Sequence, residues 1–252
     1  MRLTVIGSGT GVPWQGRGPA GYLVEAAGRS MLFDCGPGTL ERVNRFGHDW
    51  KAIDRIFLTH HHPDHSADLV AFLFAGNWAA EQRTRDPLRV RGPRGTSAFV
   101  EALHRVFPGL AWKRARTLVD DWDGGGECAE GGVVVKGLPV DHADLQALAF
   151  SIEHAGKTLV YSGDTGETSR IVEAARNADT LVVECSFPNA ITHVTSHLTA
   201  GGAGRVAAAA GVRRVVLTHF YPECEGVDIV AECREAFSGE IVLARDGLVI
   251  DI

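Results

Sequence analysis

The chain has 252 residues, of which 45% are hydrophobic and 22% are charged. A chain of this length can bury a sizeable core, so the composition excludes disorder, fibrous repeats and a fold that depends on disulfides. The balance of 25 Lys and Arg against 31 Asp and Glu gives a net charge of −6, which argues against general binding to polyanions. The length predicts one domain over residues 1–252.

Cysteine usage and hydropathy indicate the compartment. The five cysteines, at positions 35, 128, 185, 224 and 233, include no CxxC pair, which is typical of free thiols in a reducing environment. No uncharged apolar stretch approaches the length of a membrane span. We therefore expect a cytoplasmic protein with no membrane partner.

Apolar, β-branched runs bounded by Gly and Asp predict strands along the whole chain. These strands are Leu3–Ile6, Tyr22–Val24, Met31–Phe33, Arg55–Leu58, Val133–Val135, Thr158–Tyr161, Leu181–Val183, Val215–Leu217 and Ile241–Leu243. Helical spacing over Thr96–Phe107 and the alanine-rich Gly201–Ala210 predict helices, whereas the composition of Val119–Gly132 predicts a loop. The alternation of strands and helices predicts a layered α/β architecture.

Four histidines and an aspartate occupy the seven positions from Thr59 to His65, directly after a predicted strand. Residues two apart in an extended segment point the same way, so His60 and His62 converge on one point. Asp64 and His65 can face a second point nearby, and His61 is expected to point away. Imidazole and carboxylate are ligands for zinc, manganese and iron, so the cluster predicts a metal site.

Further ligands are needed to complete such a site, and three candidates follow other predicted strands. These are His142, Asp164 and His219. Each of them alone is better explained as a capping or hydrogen-bonded residue. Their shared position at strand ends, beside a cluster that requires partners, favours metal ligands.

These motifs resemble the metallo-β-lactamase superfamily, through His60-x-His62-x-Asp64-His65 and the later His142, Asp164 and His219. More narrowly, the chain resembles the ribonuclease Z-like branch. The supporting matches are Gly9–Pro13 with Arg17, Asp34–Thr39, Gly92–Gly95, Gly163–Thr165, His197–Thr199 and Leu217–Phe220. The resemblance implies an α/β fold, the four-layer αββα sandwich of the metallo-β-lactamase type, as a single such domain over residues 1–252.

The resemblance also implies a binuclear centre with two divalent metal ions, zinc being the usual metal and manganese or iron the alternatives. His60, His62 and His142 would hold one ion, Asp64, His65 and His219 the other, and Asp164 would bridge them. Glu184 and His197 match a pair that lies beside the leaving group in ribonuclease Z, although a surface or structural carboxylate explains Glu184 equally well. A homodimer is implied by the family alone.

This chain departs from ribonuclease Z at two places. The long arm ahead of the His142 motif is missing, and Gly109–Gly137 stands there instead. The serine-x-arginine-tyrosine after the last histidine is replaced by Tyr221-Pro222-Glu223. The one arginine-rich stretch is better explained as the solvated edge of a strand than as a nucleic-acid contact; it comprises Arg83, Arg85, Arg89, Arg91 and Arg94.

The sequence thus predicts a metal-dependent hydrolase, in which a metal-bridging hydroxide attacks the substrate. In this scheme Asp64 orients the water, and His197 donates a proton to the leaving oxygen. A small phosphodiester or cyclic nucleotide is the first choice of substrate, because the missing arm and the acidic charge disfavour RNA. The alternatives are a ribonuclease Z-like RNA endonuclease, a hydrolase of carboxylic esters, thioesters or lactones, and, least favoured, a non-catalytic binding module.

Overall fold

Two β-sheets of seven strands each form the centre of the computed structural model, which describes residues 1–78, 87–110 and 117–252. The first sheet contains β1 (Arg2–Gly7), β2 (Gly21–Ala26), β3 (Arg29–Phe33), β4 (Ile53–Phe57), β5 (Leu88–Pro93), β6 (Thr117–Trp122) and β14 (Val249–Asp251). The second contains β7 (Gly126–Glu130), β8 (Val133–His142), β9 (Leu145–His154), β10 (Lys157–Tyr161), β11 (Thr180–Glu184), β12 (Arg214–Thr218) and β13 (Glu240–Leu243).

The strand directions bring many strand ends to one edge of the molecule. The order of the first sheet is β14-β1-β2-β3-β4-β5-β6, and β3 to β6 run parallel. The order of the second is β13-β12-β11-β10-β9-β8-β7, and β10 to β13 run parallel. Since β8 and β10 both pair antiparallel to β9, β8 also ends at the same edge as β10. The carboxyl ends of parallel strands are where α/β proteins place their sites.

The helices of the described residues are α1 (Thr39–Arg45), α2 (Pro63–Ser66), α3 (Leu69–Trp78), α4 (Thr96–Val106), α5 (Ser169–Ala174), α6 (Ala200–Ala210) and α7 (Ile229–Arg234). Six of these seven helices pack on the two sheets, whereas α2 lies at the edge where the strands end. Val43 of α1, Phe72 of α3 and Val100 of α4 belong to the apolar cluster on the first sheet. The second cluster fills the space between the sheets and extends beneath α5, α6 and α7. The αββα sandwich predicted from the sequence is confirmed.

All nine predicted strands and both predicted helices are found, with bounds that shift by one or two residues, except that the predicted Val133–Val135 continues to His142 in β8. The predicted loop over Val119–Gly132 is wrong, because these residues lie largely in β6 and β7. Their polar side chains have specific partners: Asp120 pairs with Arg91 at 3.1 Å, and Asp121 accepts hydrogen bonds from the backbone N–H groups of Gly95 and Ser97 at the start of α4. Trp122 is buried between the sheets, where Gly126 leaves room for its indole.

Within the arginine-rich stretch, Arg94 is exposed, as the predicted solvated edge requires, whereas Arg91 is not. Arg91 lies on β5 with only 6% of its surface exposed, and its guanidinium faces Asp120 and Glu130. Arg83 and Arg85 lie outside the described residues. Arg91 is therefore part of an internal ion-pair cluster. Within the described ranges, no helix is long and apolar enough to cross a membrane.

Candidate metal centre

The candidate ligands meet at the shared edge where the strands of both sheets end. His60 and His62 follow β4, and Asp64 and His65 lie on α2. His142 is the last residue of β8, Asp164 follows β10, and His219 follows β12. Residues separated by more than 150 positions in the chain are thus brought within a few ångströms of one another.

Three imidazoles form the first group of this centre. The Nδ1 atom of His62 lies 3.0 Å from Nε2 of His60 and 3.4 Å from Nε2 of His142. Nitrogen atoms that bind one tetrahedral zinc ion at 2.0–2.1 Å stand roughly 3.3 Å apart. The spacing of this group therefore fits a shared metal ion.

The second group consists of Asp64, His65 and His219. The Nε2 atoms of the two histidines are 3.1 Å apart. The Oδ2 atom of Asp64 lies 3.5 Å from Nε2 of His219 and 3.9 Å from Nε2 of His65. Imidazole and carboxylate are again the donor types that divalent metal ions take.

Asp164 lies between the two groups and turns one oxygen toward each. Its Oδ2 is 3.8 Å from Nε2 of His60 and 3.9 Å from Nε2 of His142. Its Oδ1 is 3.3 Å from Nε2 of His65 and 3.4 Å from Nε2 of His219. This Oδ1 is buried without a hydrogen-bond partner among the described residues, which is costly unless a cation binds there.

The outer nitrogen of each histidine ring is held by a specific acceptor, except for His62. The Nδ1 atoms of His60, His142 and His219 contact the Thr59 hydroxyl, the Ser196 carbonyl and the Ser186 hydroxyl at 3.0, 3.0 and 3.1 Å. An acceptor at Nδ1 places the proton there and leaves Nε2 free to bind a metal. His62 instead turns Nδ1 toward the first group.

Asp34 holds the ring of His65, a role that the sequence motifs do not predict. Its carboxylate accepts from Nδ1 of His65 at 2.8 Å, from the hydroxyl of Tyr161 at 2.7 Å, and from the backbone and hydroxyl of Thr59 at 2.8 Å each. Asp34 is fully buried and has a left-handed backbone with φ of 58°. An aspartate directly after a strand and before Cys35-Gly36 was the available clue.

The buried charges of the centre favour a cation. Burial lowers the pKa of His65, but the carboxylates of Asp164 and Asp34 outweigh burial and hold this pKa well above its usual value. Burial raises the pKa of Asp164, but His219 and His65 outweigh it and hold this pKa well below its usual value. Burial and the charge of His65 together lower the pKa of His60, which keeps its ring neutral. This donor set fits divalent metal ions.

Another buried carboxylate, Glu184, lies at the end of β11 and positions His197. Both of its oxygens are 3.1 Å from Nδ1 of His197, and it also accepts from the Ser186 hydroxyl at 2.6 Å and from the Leu198 N–H at 3.0 Å. Burial lowers the pKa of His197, but Glu184 outweighs burial and raises it to about 9. Glu184 is only 1% exposed, so the alternative of a surface carboxylate is excluded.

His61 points away from the centre, as its alternation with its neighbours predicts. Its Nε2 contacts the Thr96 hydroxyl at 2.9 Å, and its ring stacks on Phe99 with the centroids 5.2 Å apart. It therefore connects the histidine cluster to α4.

Comparisons with known proteins agree with this fold. The family model described as "Beta-lactamase superfamily domain" matches residues 29–220. Ribonuclease Z of Thermobifida fusca is 31% identical over 293 aligned positions, which cover 97% of this chain and 92% of the relative.

Among solved structures, the metallo-β-lactamase fold protein YhfI of Bacillus subtilis superimposes with a TM-score of 0.84 at 27% identity, covering 99% of this chain and 98% of the neighbour. The short form of human tRNase Z has a TM-score of 0.82 at 23% identity, covering 100% of this chain and 99% of that protein.

The fold and the histidine–aspartate centre define a metal-dependent hydrolase. The chain belongs to the metallo-β-lactamase superfamily, in its ribonuclease Z-like branch.

Replacing the carboxylate of Asp34 tests its role in the centre. Asp34→Asn cannot accept the same set of hydrogen bonds, so His65 loses the partner that fixes its ring. We expect metal affinity to fall by about 10–100-fold, as measured by competition with a chromogenic chelator. Asp179→Asn is the matched control, because Asp179 bonds Thr158 and Lys157 at the start of β10. An affinity in Asp34→Asn equal to that of the control would contradict this role.

Substitutions of the neighbouring His61 and His62 test which of the two side chains faces the metal centre. His62→Ala removes an inward nitrogen and should lower the metal content measured by elemental analysis. His61→Ala removes only the contacts to Thr96 and Phe99, so its metal content should match the wild type. Equal losses in the two variants would show that the assignment of the inward face is wrong.

Proposed function

We propose that this chain is a metal-dependent phosphodiesterase and that RNA is its first candidate substrate. The observation that supports this most is the pairing of the seven-residue donor set with the His197–Glu184 pair beside it. The curated relative with 31% identity over nearly the whole chain is a ribonuclease Z. This relative favours the RNA endonuclease alternative over the small phosphodiester that the sequence analysis placed first.

We assign His60, His62 and His142 to one divalent ion, Asp64, His65 and His219 to the other, and Asp164 to both. Zinc is the first choice of metal, with manganese and iron as alternatives. When bound, the ions would lower the pKa of water and stabilise negative charge on the phosphoryl oxygens.

The backbone at Gly11 and Gly36 fixes the position of Asp64. Its Oδ2 accepts a hydrogen bond from the Gly11 N–H at 3.0 Å, so the glycine-rich turn after β1 fixes the carboxylate. The backbone of Gly36 lies so close to the Asp64 carbonyl that a Cβ there would be 2.0 Å from its oxygen. We assign Asp64 the orientation of the attacking water and the acceptance of its proton.

His197 is placed for the opposite proton transfer. The Glu184 carboxylate contacts Nδ1 of His197 and stabilises the positive charge of the imidazole. No hydrogen bond from the described residues occupies Nε2 of His197. A cationic imidazole with one free N–H can donate a proton to the oxygen that leaves. Glu184 is a positioning residue, because it acts through His197.

A small phosphodiester is the second candidate substrate. The alignment with the Thermobifida fusca relative has 293 positions and this chain has 252 residues, so the relative contains segments without a counterpart here. The net charge of −6 also disfavours a long polyanion. No observation on the described residues favours a carboxylic ester, thioester or lactone, and the full donor set argues against a non-catalytic module. The single domain, the homodimer and the cytoplasmic location stay predictions.

Hydrolysis of bis(p-nitrophenyl) phosphate, with zinc and with manganese, tests the phosphodiesterase proposal. We expect turnover of this diester that is lost in Asp64→Ala, and we also expect the wild type to cleave a precursor tRNA. Turnover of the chromogenic diester without RNA cleavage would favour the small substrate. If metal-loaded protein turns over neither the chromogenic diester nor the precursor tRNA, the phosphodiesterase proposal is overturned.

The leaving group distinguishes a proton donor from a structural histidine. An alkoxide leaves poorly without a proton, whereas p-nitrophenolate leaves readily, so His197→Ala should slow hydrolysis of a ribonucleotide linkage by about 10²–10⁴-fold. The same variant should slow p-nitrophenyl ester hydrolysis by less than about tenfold. His193→Ala, an exposed histidine on the same segment, is the control. Equal losses on both substrates would contradict the donor role.

A further inference from the structure

Two stacked aromatic rings stand beside the metal centre, and neither the ligand set nor the proton donor accounts for them. The rings of Phe187 and Tyr221 have centroids 4.8 Å apart and planes inclined by 22°. We call this pair the aromatic wall. Phe187 is 9% exposed, while Tyr221 is half-buried, so Tyr221 is the member that can meet a ligand.

The aromatic wall borders the side of the centre at which His197 lies. The centroid of Tyr221 is 6.0 Å from that of His197 and 6.0 Å from that of His219, and both imidazoles stand nearly perpendicular to it. Phe187 is 6.2 Å from His197. A leaving group whose ester oxygen lies at His197 would therefore be next to these rings.

Backbone hydrogen bonds hold the chain at both members of the wall, and ring contacts restrain the Tyr221 side chain. Tyr221 donates its N–H to the Ser186 carbonyl at 3.3 Å, and Phe187 donates its N–H to the Leu198 carbonyl at 3.3 Å. One face of the Tyr221 ring is covered by Phe187. Within residues 1–78, 87–110 and 117–252, its only other ring contacts are the two imidazoles. A ring held in this way binds a ligand with little loss of side-chain freedom.

We propose that Tyr221 is a specificity-determining residue of this centre, whose ring stacks on a planar ring of the leaving group, so that leaving groups with such a ring bind more tightly than those without one. This inference rests on the proposed phosphodiesterase function. Every nucleobase presents a π-face, so a single aromatic platform accepts all bases without reading their hydrogen-bonding edges. Phosphodiesters of glycerol or of simple sugars lack such a ring and gain nothing from the wall.

Binding of product-like ligands tests the wall without requiring turnover. We would measure the affinity of metal-loaded protein for adenosine 3′-monophosphate, adenosine 5′-monophosphate and ribose 5-phosphate by calorimetry. Base stacking predicts that at least one of the adenosine ligands binds about tenfold or more tightly than the ribose ligand. Equal or undetectable binding of all three ligands overturns the proposal.

Two variants at one position separate the ring from the fold. Tyr221→Phe keeps the ring and should keep the preference for adenosine, whereas Tyr221→Leu should reduce it to less than about threefold. Both variants must retain the wild-type metal content, and Tyr221→Phe controls for damage to the fold. A preference for adenosine that persists in Tyr221→Leu places the base elsewhere and overturns the proposal.

The outcome is independent of the hydrolysis assay. A preference for adenosine without turnover of bis(p-nitrophenyl) phosphate or of RNA would support stacking on Tyr221 and contradict the phosphodiesterase proposal. Turnover without adenosine preference would support the phosphodiesterase and contradict the wall.

Discussion

The carboxylate of Asp34 is the contact on which the geometry of the centre depends. It joins β3 to Thr59 after β4, to Tyr161 at the end of β10, and to the ring of His65 on α2. These partners come from both sheets, so one buried anion fixes the two halves of the sandwich relative to each other at the site. Burying a carboxylate is costly unless its oxygens are fully bonded, and four hydrogen bonds meet that requirement here.

Buried carboxylates also position two other candidate ligands, His60 and His219, through an intervening hydroxyl. The Thr59 hydroxyl donates to Asp34 and accepts from His60, and the Ser186 hydroxyl donates to Glu184 and accepts from His219. Each chain runs from a buried carboxylate through a hydroxyl to a histidine whose free nitrogen faces the centre. The carboxylates thereby set the tautomer and angle of rings that they do not touch.

Backbone strain accompanies this arrangement at two strand ends. Asp34 and His219 both have φ of 58°, a conformation that costs a non-glycine residue about 1–3 kcal/mol. One follows β3 and the other follows β12, and in each case the turn directs a side chain into the shared edge. The bonds to Asp34 and the contact between Ser186 and His219 hold these turns in place.

The sequence by itself determined the local part of this protein. The alternation of His60, His61 and His62 indicated which rings point inward, and nine β-branched runs indicated strands, because both properties depend on neighbours within a few residues. The motifs also identified the superfamily and its αββα fold.

Only the tertiary structure decided how distant residues meet. It placed Asp34 against His65, converted the polar Val119–Gly132 into paired strands, and buried Arg91 among acidic partners. It also set the aromatic wall beside His197. The physical reason is that a polar side chain looks solvated in the sequence, whereas its burial depends on a partner that the closing of two sheets brings from far along the chain.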